Sequence, residues 1–466
     1  MAPGNWPLAL FAWAGRAWRC SGARAMRIGW KLALVGLMLL LLLIPLGLLD
    51  SLVAERQARG QEVADEIARS SSGPQQVVGP LLLVEALRLS ERRRVVTEGG
   101  LRRQETEQAS ETVHYLVSPS RLAIDSRLRI EQRGRSLFTV PLFHGALNMA
   151  GEFRHVPPAA DGEGRLKPVR AWLVLGLGDN RGVQAMALKV DGRPVTAEPG
   201  TRVGWLPEGL HAPVPLSALE GPMAFDVALD LTGTQSLAWL PVGSETTVTA
   251  SADWPHPGFE GRHLPQASSI RDDGFSANWA VSKLSSRVQQ VIAACSPLAT
   301  SCDGLAESGF GMRLVEPVDR YLMTDRAMKY ALLFLALVFG AVFLVEALSS
   351  RPVHAVQYGL TGLALAMFYL LLLSLSEHIG FGLAYALAAA ACSGLLGYYL
   401  AGVLGGAKQG LSFGAGLAGL YGLLYSLLRS EDYALLVGAG VLFAALATAM
   451  TLTRRVDWHH LGSPKT

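Results

Sequence analysis

The last third of this 466-residue chain is almost continuously apolar, whereas most of its charge lies between residues 51 and 328. That segregation constrains the fold more than any motif. A bilayer core about 30 Å thick needs roughly 20 apolar residues of helix. The first run that meets this need is Leu32 to Leu49, with no Lys or Arg between Lys31 and Arg56 and no acid before Asp50. A signal peptide would have a shorter apolar region, about 7–15 residues, and a small-x-small cleavage site. This run is longer and exits through Asp50-Ser51-Leu52-Val53-Ala54, a weak site, so an uncleaved anchor is expected at residues 31–50. Pro45 inside it is tolerated in a membrane helix. Five more spans are expected at about 329–348, 353–375, 379–404, 410–428 and 433–452.

The short separators carry the orientation. Arg16, Arg19, Arg24, Arg27 and Lys31 precede the first run, a positive-inside signal. Counted from a cytoplasmic N-terminus, Arg351, Lys408 and Arg454-Arg455 fall inside, and Glu377 and Glu431-Asp432 fall outside. The alternation predicts six spans in the bilayer, with a basic cytoplasmic segment at 1–30 and a cytoplasmic tail at 454–466. Residues 51–328 then form a domain across the membrane. Ala390/Gly394, Ser393/Gly397, Gly410/Gly414, Ala415/Gly419 and Ala418/Gly422 are small-xxx-small pairs, which let helix backbones approach closely. Packing within the bundle is the plain reading, and a homo-oligomer seam is the sharper one.

In the outer domain a helical stalk continues the first span through Leu52, Val53, Val63 and Ile67 until Ser70-Ser71-Ser72-Gly73-Pro74 stops it. The period then changes to two. Arg127-Leu128-Arg129-Ile130-Glu131 and Phe225 to Leu231 alternate polar and apolar residues, and Trp172 to Leu177 is a short apolar run. Asp179 to Gly182, Asp191 to Pro194 and Thr232-Gly233-Thr234 read as turns. Many short strands predict a β-rich, sandwich-like domain. Gly134 to Pro141 and Gly233 to Pro241 echo each other, a pattern that two unrelated strand-turn-strand pieces or two related β-units would give.

The chain has 41 Lys and Arg against 38 Asp and Glu, a net charge of +3, with no dense basic stripe, so nucleic acid is not an expected partner. With 50% apolar and 17% charged residues, wholesale disorder is excluded. Phosphate-binding loop, zinc-helix and nucleophile-elbow motifs are missing, so no catalytic, metal or cofactor residue is assigned. Trp254-Pro255-His256-Pro257 reads as a rigid turn with Trp254 packed into the core. Ionisable residues inside spans would mark ion or proton paths. Glu346 lies near a helix end, where boundary solvation is expected. Glu377, His378, Glu431 and Asp432 form a candidate polar cluster on the outer face. Cys295 and Cys302 share one outer loop, and an oxidising compartment favours a disulfide between them, contributing on the order of 2–3 kcal/mol at most.

Several strings together resemble the CreD family of cell envelope integrity inner-membrane proteins. They are Ser72-Gly73-Pro74-Gln75, Val78-Gly79-Pro80-Leu81, Gly178-Asp179-Asn180-Arg181-Gly182, Glu198-Pro199-Gly200-Thr201 and Trp254-Pro255-His256-Pro257. Thr324-Asp325-Arg326-Ala327, Met367 to Leu372, Ser376-Glu377-His378 and Leu452 to Trp458 complete the set, which runs from about Met26 to Trp458. The resemblance implies a Gram-negative inner-membrane protein with a periplasmic domain, linked to envelope integrity and to the Cre two-component regulon. It implies no catalytic residue or cofactor. Residues 1–25 look like an extension beyond the family pattern, and the Cys295 to Cys302 segment matches no family string. The expected function is non-enzymatic, with a periplasmic domain that binds an envelope partner. The alternative is a transporter or permease whose outer domain captures substrate, which mid-membrane charges or broken helices would favour.

Overall fold

A single helix, α1 (Ile28–Ser70), runs without interruption from the first apolar run into the polar stretch after it, with Pro45 inside. The computed structural model describes residues 28–98, 101–135, 137–154, 160–161, 164–315, 320–348, 353–429 and 434–454. The chain divides into two compact units, Met1–Ala58 with Val318–Thr466, and Arg59–Pro317. The division falls between residues 58 and 59 and between 317 and 318, where 50/51 and 328/329 are the expected boundaries. The reason is packing. Arg56 of α1 pairs with Glu377 of the helical unit, and the polar segment Arg320–Lys329 buries Tyr321, Thr324, Ala327 and Met328.

The β unit contains two sheets. In spatial order the first comprises Pro257–Gly261, Phe310–Leu314, Ser236–Trp239, Gln75–Glu98, Gly164–Gly176, Gly209–Pro213 and Glu198–Pro199; Leu101–Val117 also pairs with Gln75–Glu98, and Ala160–Asp161 with Gly164–Gly176. The second comprises Ala267–Arg271, Gly274–Ser282, Glu245–Ala252, Arg121–Arg135, Phe138–Phe153, Met223–Thr234, Val183–Val190 and Arg193–Val195. Most neighbours are antiparallel, but Glu245–Ala252 runs parallel to Arg121–Leu128. Alternate residues from Met223 to Leu231 are buried, as period-two patterning requires, and Thr232 to Thr234 are buried throughout. Both sheets contribute to one apolar core. Trp239 and Trp279 are centred there, with ring centroids 5.7 Å apart. A short helix, α2 (Val288–Ala294), packs Val288 and Ile292 into the same core.

One sequence expectation fails here. Thr232-Gly233-Thr234 is not a turn but the end of the strand Met223–Thr234. Gly233 is small because a Cβ there would lie 2.5 Å from Cζ of Phe143, and the corner falls at Gln235, with φ of 64°. Of the two readings of the echo, unrelated strand-turn-strand pieces fit the sheets. Arg121–Arg135 and Phe138–Phe153 form a hairpin in one sheet, whereas Met223–Thr234 leads to Ser236–Trp239 in the other. The turn at Asp191-Gly192 holds: both residues have positive φ, as a two-residue hairpin turn demands. Trp254 is buried as expected, and its Nε1 donates to the carbonyls of His256 and Val315.

The helical unit adds α3 (Arg320–Lys329), α4 (Ala331–Leu348), α5 (Ala355–Ile379), α6 (Phe381–Leu404), α7 (Ala407–Arg429) and α8 (Ala434–Thr453). Among the described residues, five helices are long and apolar enough to cross a membrane, and α3 with α4, bent by 49° at their junction, makes a sixth when the two are counted as one. His354 caps the start of α5 in a reciprocal pair with Gln357. The small-residue pairs split in role. Gly397, Gly410 and Gly414 form the seam of α6 against α7, and a Cβ on Gly410 would lie 2.4 Å from both Cβ of Ala401 and the carbonyl oxygen of Gly397. Gly394, Gly419 and Gly422 meet nothing within 4 Å.

This contrast yields a test. Gly410→Leu overpacks a closed seam and is expected to cost about 2 kcal/mol or more. Gly419→Leu faces open space and leaves stability unchanged. Thermal unfolding of the full chain in detergent checks both, and equal melting temperatures would contradict the seam.

Candidate functional site

Where α1 ends, its last carbonyls lack helical partners and need donors from elsewhere. The turn Asp179-Asn180-Arg181-Gly182 supplies them. The Arg181 guanidinium donates to the carbonyl of Arg69, and at 3.4 Å to that of Ala68. Asp179 orients that guanidinium, accepting Nη2 at 2.6 Å and Nε at 3.0 Å, and also accepts the Gly73 amide at 3.1 Å. Buried Gln75 closes the knot. Its Nε2 donates to Ser72 Oγ at 2.7 Å, the Asp179 carbonyl at 3.0 Å and the Thr232 carbonyl at 3.2 Å, while its Oε1 accepts the Asp179 amide. Gly182 must be glycine, since a Cβ would lie 2.2 Å from the Thr232 carbonyl oxygen. The Arg181 guanidinium, with the Gly73 amide and Arg181's own amide at 3.0 Å, holds the Asp179 carboxyl below its ordinary value, against a smaller opposing effect of burial. Two of the strings that carry the family resemblance meet in this knot.

In the helical unit, the candidate polar cluster is only partly assembled. Glu377 is engaged: Arg56 Nε lies 3.6 Å from its carboxylate and Tyr321 Oη donates to it at 3.1 Å, while Arg320 Nη1 donates to its backbone carbonyl at 3.0 Å. His378 does not join. It is exposed, and its Nδ1 meets the Ser374 carbonyl of its own helix. Glu431 and Asp432 lie outside the described residues. Arg56, Arg320 and Tyr321 escaped the sequence reading because they sit in polar flanks far from Glu377 along the chain.

Glu346 is not a solvated boundary residue. It is buried, and its carboxylate accepts from Lys31 Nζ, the Val353 amide at 3.0 Å and Tyr358 Oη at 3.0 Å. Such pairing is what a carboxylate removed from water requires. Farther along the helices the interior is aromatic. Phe368 stacks on Tyr421, with centroids 4.4 Å apart, and meets Tyr385 edge-on. Tyr421 Oη donates to Cys392 Sγ at 3.3 Å, and Tyr385 Oη to the Tyr421 carbonyl at 2.7 Å.

In the β unit Cys295 and Cys302 are joined by a disulfide, with Cα atoms 5.8 Å apart, just after α2. Nearby, a cavity of about 740 Å3 opens between α2 and the hairpin formed by Gln75–Glu98 and Leu101–Val117, with Tyr115, Arg154 and Lys283 in its wall. Burial raises the Tyr115 hydroxyl to about 12. The sequence reading did not find this recess, because its walls come from segments scattered over 200 residues or so of chain. Among the described residues, no three His, Cys, Asp or Glu side chains are grouped to hold a metal ion.

The family model described as Inner membrane protein CreD matches residues 27–459. The Inner membrane protein CreD of Escherichia coli is 34% identical over 442 residues, which cover 94% of this chain and 95% of that protein. Among solved structures, an M1 zinc metallopeptidase from Deinococcus radiodurans aligns with 35% of this chain and 38% of its own at 11% identity, with a TM-score of 0.20, too slight a likeness to bear on fold or function.

Two outcomes follow from this geometry. Because the folded Asp179 carboxyl sits below 3.8, its stabilising effect is complete above that pH and is lost as pH falls through the lowered folded value. The wild type should therefore melt higher than Asp179→Asn near neutrality, and the gap should close in acid; a gap independent of pH would contradict the knot. The disulfide predicts that Cys295 and Cys302 resist maleimide in unreduced, denatured protein and react after reduction.

Proposed function

This chain belongs to the CreD family of inner membrane proteins, and on that premise we propose a non-enzymatic protein that supports cell envelope integrity, with its β unit as a periplasmic binding domain. Six spans place both termini in the cytoplasm and the β unit outside, with α3 and α4 together as the second span. The support is the alternation of Arg351, Lys408 and Arg454-Arg455 with Glu377 and Glu431-Asp432 along the chain. One observation carries the binding role. In the helical unit Glu346 and Glu377, each near a helix end, are tied into ion pairs and hydrogen bonds, whereas the β unit keeps an open polar cavity. Coupled transport would call for ionisable groups in the middle of spans. The β unit, built on rigid sheets, offers binding without turnover. Its partner is an envelope component, and no cofactor enters the proposal.

Alkaline phosphatase fused after Gly192 should be active, and fused after Lys408 inactive; the reverse pattern overturns the orientation. A deletion strain should lose viability under detergent or cell-wall antibiotic stress. If the deletion instead leaves the envelope sound and abolishes uptake of a defined solute, the transporter reading replaces this one.

A further inference from the structure

Four neighbouring strands of the second sheet deliver polar residues to one end. Their registers align Ser282 with Glu245, Glu245 with Arg121, and Arg121 with Glu152. One or two residues beyond that line lie Lys283, Ser244, Ser120 and Arg154, in that spatial order. Strands are spaced about 4.8 Å apart, so two cations flank two hydroxyls along a rim of roughly 14 Å. The row is fixed by its backbone: the Lys283 amide donates to the Ser244 carbonyl at 2.8 Å, and the Glu245 amide to the Ser120 carbonyl. The Arg154 amide donates to Ser120 Oγ at 3.1 Å.

This rim lines the cavity of about 740 Å3, a volume ordinary for a small-molecule site. Arg88, Arg154 and Lys283 line it, and among the described residues no Asp or Glu does, although Arg88 is paired with Glu111 at 3.3 Å. Among the described residues Lys283 has no carboxylate partner. Arg154 is bound to Glu152 through Nε at 2.7 Å, which leaves guanidinium donors available, since Arg carries five. On the opposite wall the Tyr115 hydroxyl is buried with no partner among the described residues. A solvated sheet end explains exposed cations, but it does not explain a recess that sets a lysine without a carboxylate partner against a buried hydroxyl that also has no partner among the described residues.

We propose that this cavity binds a phosphate-bearing molecule, its oxyanion held between Arg154 and Lys283 and its organic body laid against Tyr115. Guanidinium and ammonium groups with adjacent hydroxyls are the donors that phosphate oxygens take. The phosphate belongs either to a soluble organophosphate or to a lipid headgroup. The inference rests on the binding role proposed above and gives that role its ligand class.

The test uses the full chain in phosphatidylcholine nanodiscs at low salt. Pyrophosphate is titrated calorimetrically against the wild type, the double variant Arg154→Gln/Lys283→Gln, and a charge-matched control, Lys189→Gln/Arg193→Gln. The altered side chains are exposed, so all three should fold. Affinity should fall at least tenfold in the first variant and stay unchanged in the control. No binding by the wild type, or equal weakening in both variants, overturns the proposal. Competition between pyrophosphate and phosphatidylglycerol vesicles, with phosphatidylcholine vesicles as the blank, separates the sources: displacement assigns the headgroup, and its absence assigns a soluble organophosphate. In the deletion strain, the Arg154→Gln/Lys283→Gln chain should fail to restore stress survival. If it restores survival in full, the cavity plays no part and the envelope role stands; if the deletion has no envelope phenotype, the envelope role itself fails whatever the calorimetry gives.

Discussion

The contact among Asp179, Arg181 and the end of α1 governs how this chain changes from helix to sheet. A helix of 43 residues ends at Ser70, and five residues later the first strand begins at Gln75. Carbonyls freed at a helix end lack helical partners, and at this exposed end a side chain supplies donors in place of water. Arg181 does so from more than 100 residues away, and Asp179 holds its guanidinium in place. Gln75 then bonds three segments at once, so the start of the first sheet, the Asp179 turn and the strand Met223–Thr234 are fixed together. Gly182 and Gly233 are where this junction leaves no room for a Cβ.

The helical unit follows a different rule. Its interior offers aromatic and aliphatic contacts, and its carboxylates Glu346 and Glu377 are satisfied by neighbouring donors. Glu346 shows the principle most directly, with a lysine, a backbone amide and a tyrosine hydroxyl all directed at one carboxylate. Leaving such a carboxylate unpaired away from water would be far more costly than any single apolar contact is stabilising. Glu377 is treated in the same way by Arg56 and Tyr321. Charges fixed in this manner support architecture. The β unit contrasts with this at the Arg154–Lys283 rim, where Lys283 lines the cavity with no carboxylate partner among the described residues.

How much was legible in the sequence depends on the range of the interaction. Long apolar runs have few alternatives to a helix, so α1 and α4 to α8 could be placed to within a few residues. Period-two alternation placed Arg127–Glu131 and Phe225–Leu231 in strands, since it reports one buried face. Thr232-Gly233-Thr234 misled because glycine serves turns and close packing alike, and only the position of Phe143 distinguishes the two. His378 was grouped with Glu377 because they are adjacent, but adjacent helical residues point about 100° apart. The cavity left no local signature at all, because Ser120, Arg154, Ser244 and Lys283 become neighbours only through strand register.

By itself, therefore, the sequence determined the division of this protein into an apolar helical part and a β-rich part, since both follow from hydrophobic period and length, which are local properties of the chain. It also carried the family, through short strings whose roles it could not explain. Tertiary structure alone decided which of those strings meet in the Asp179 knot, which carboxylates are buried, which glycines close a helix seam, and where a basic recess forms. Each of these depends on pairings between residues tens to hundreds of positions apart, and such pairings are set by the packing of whole elements rather than by any stretch of chain read alone.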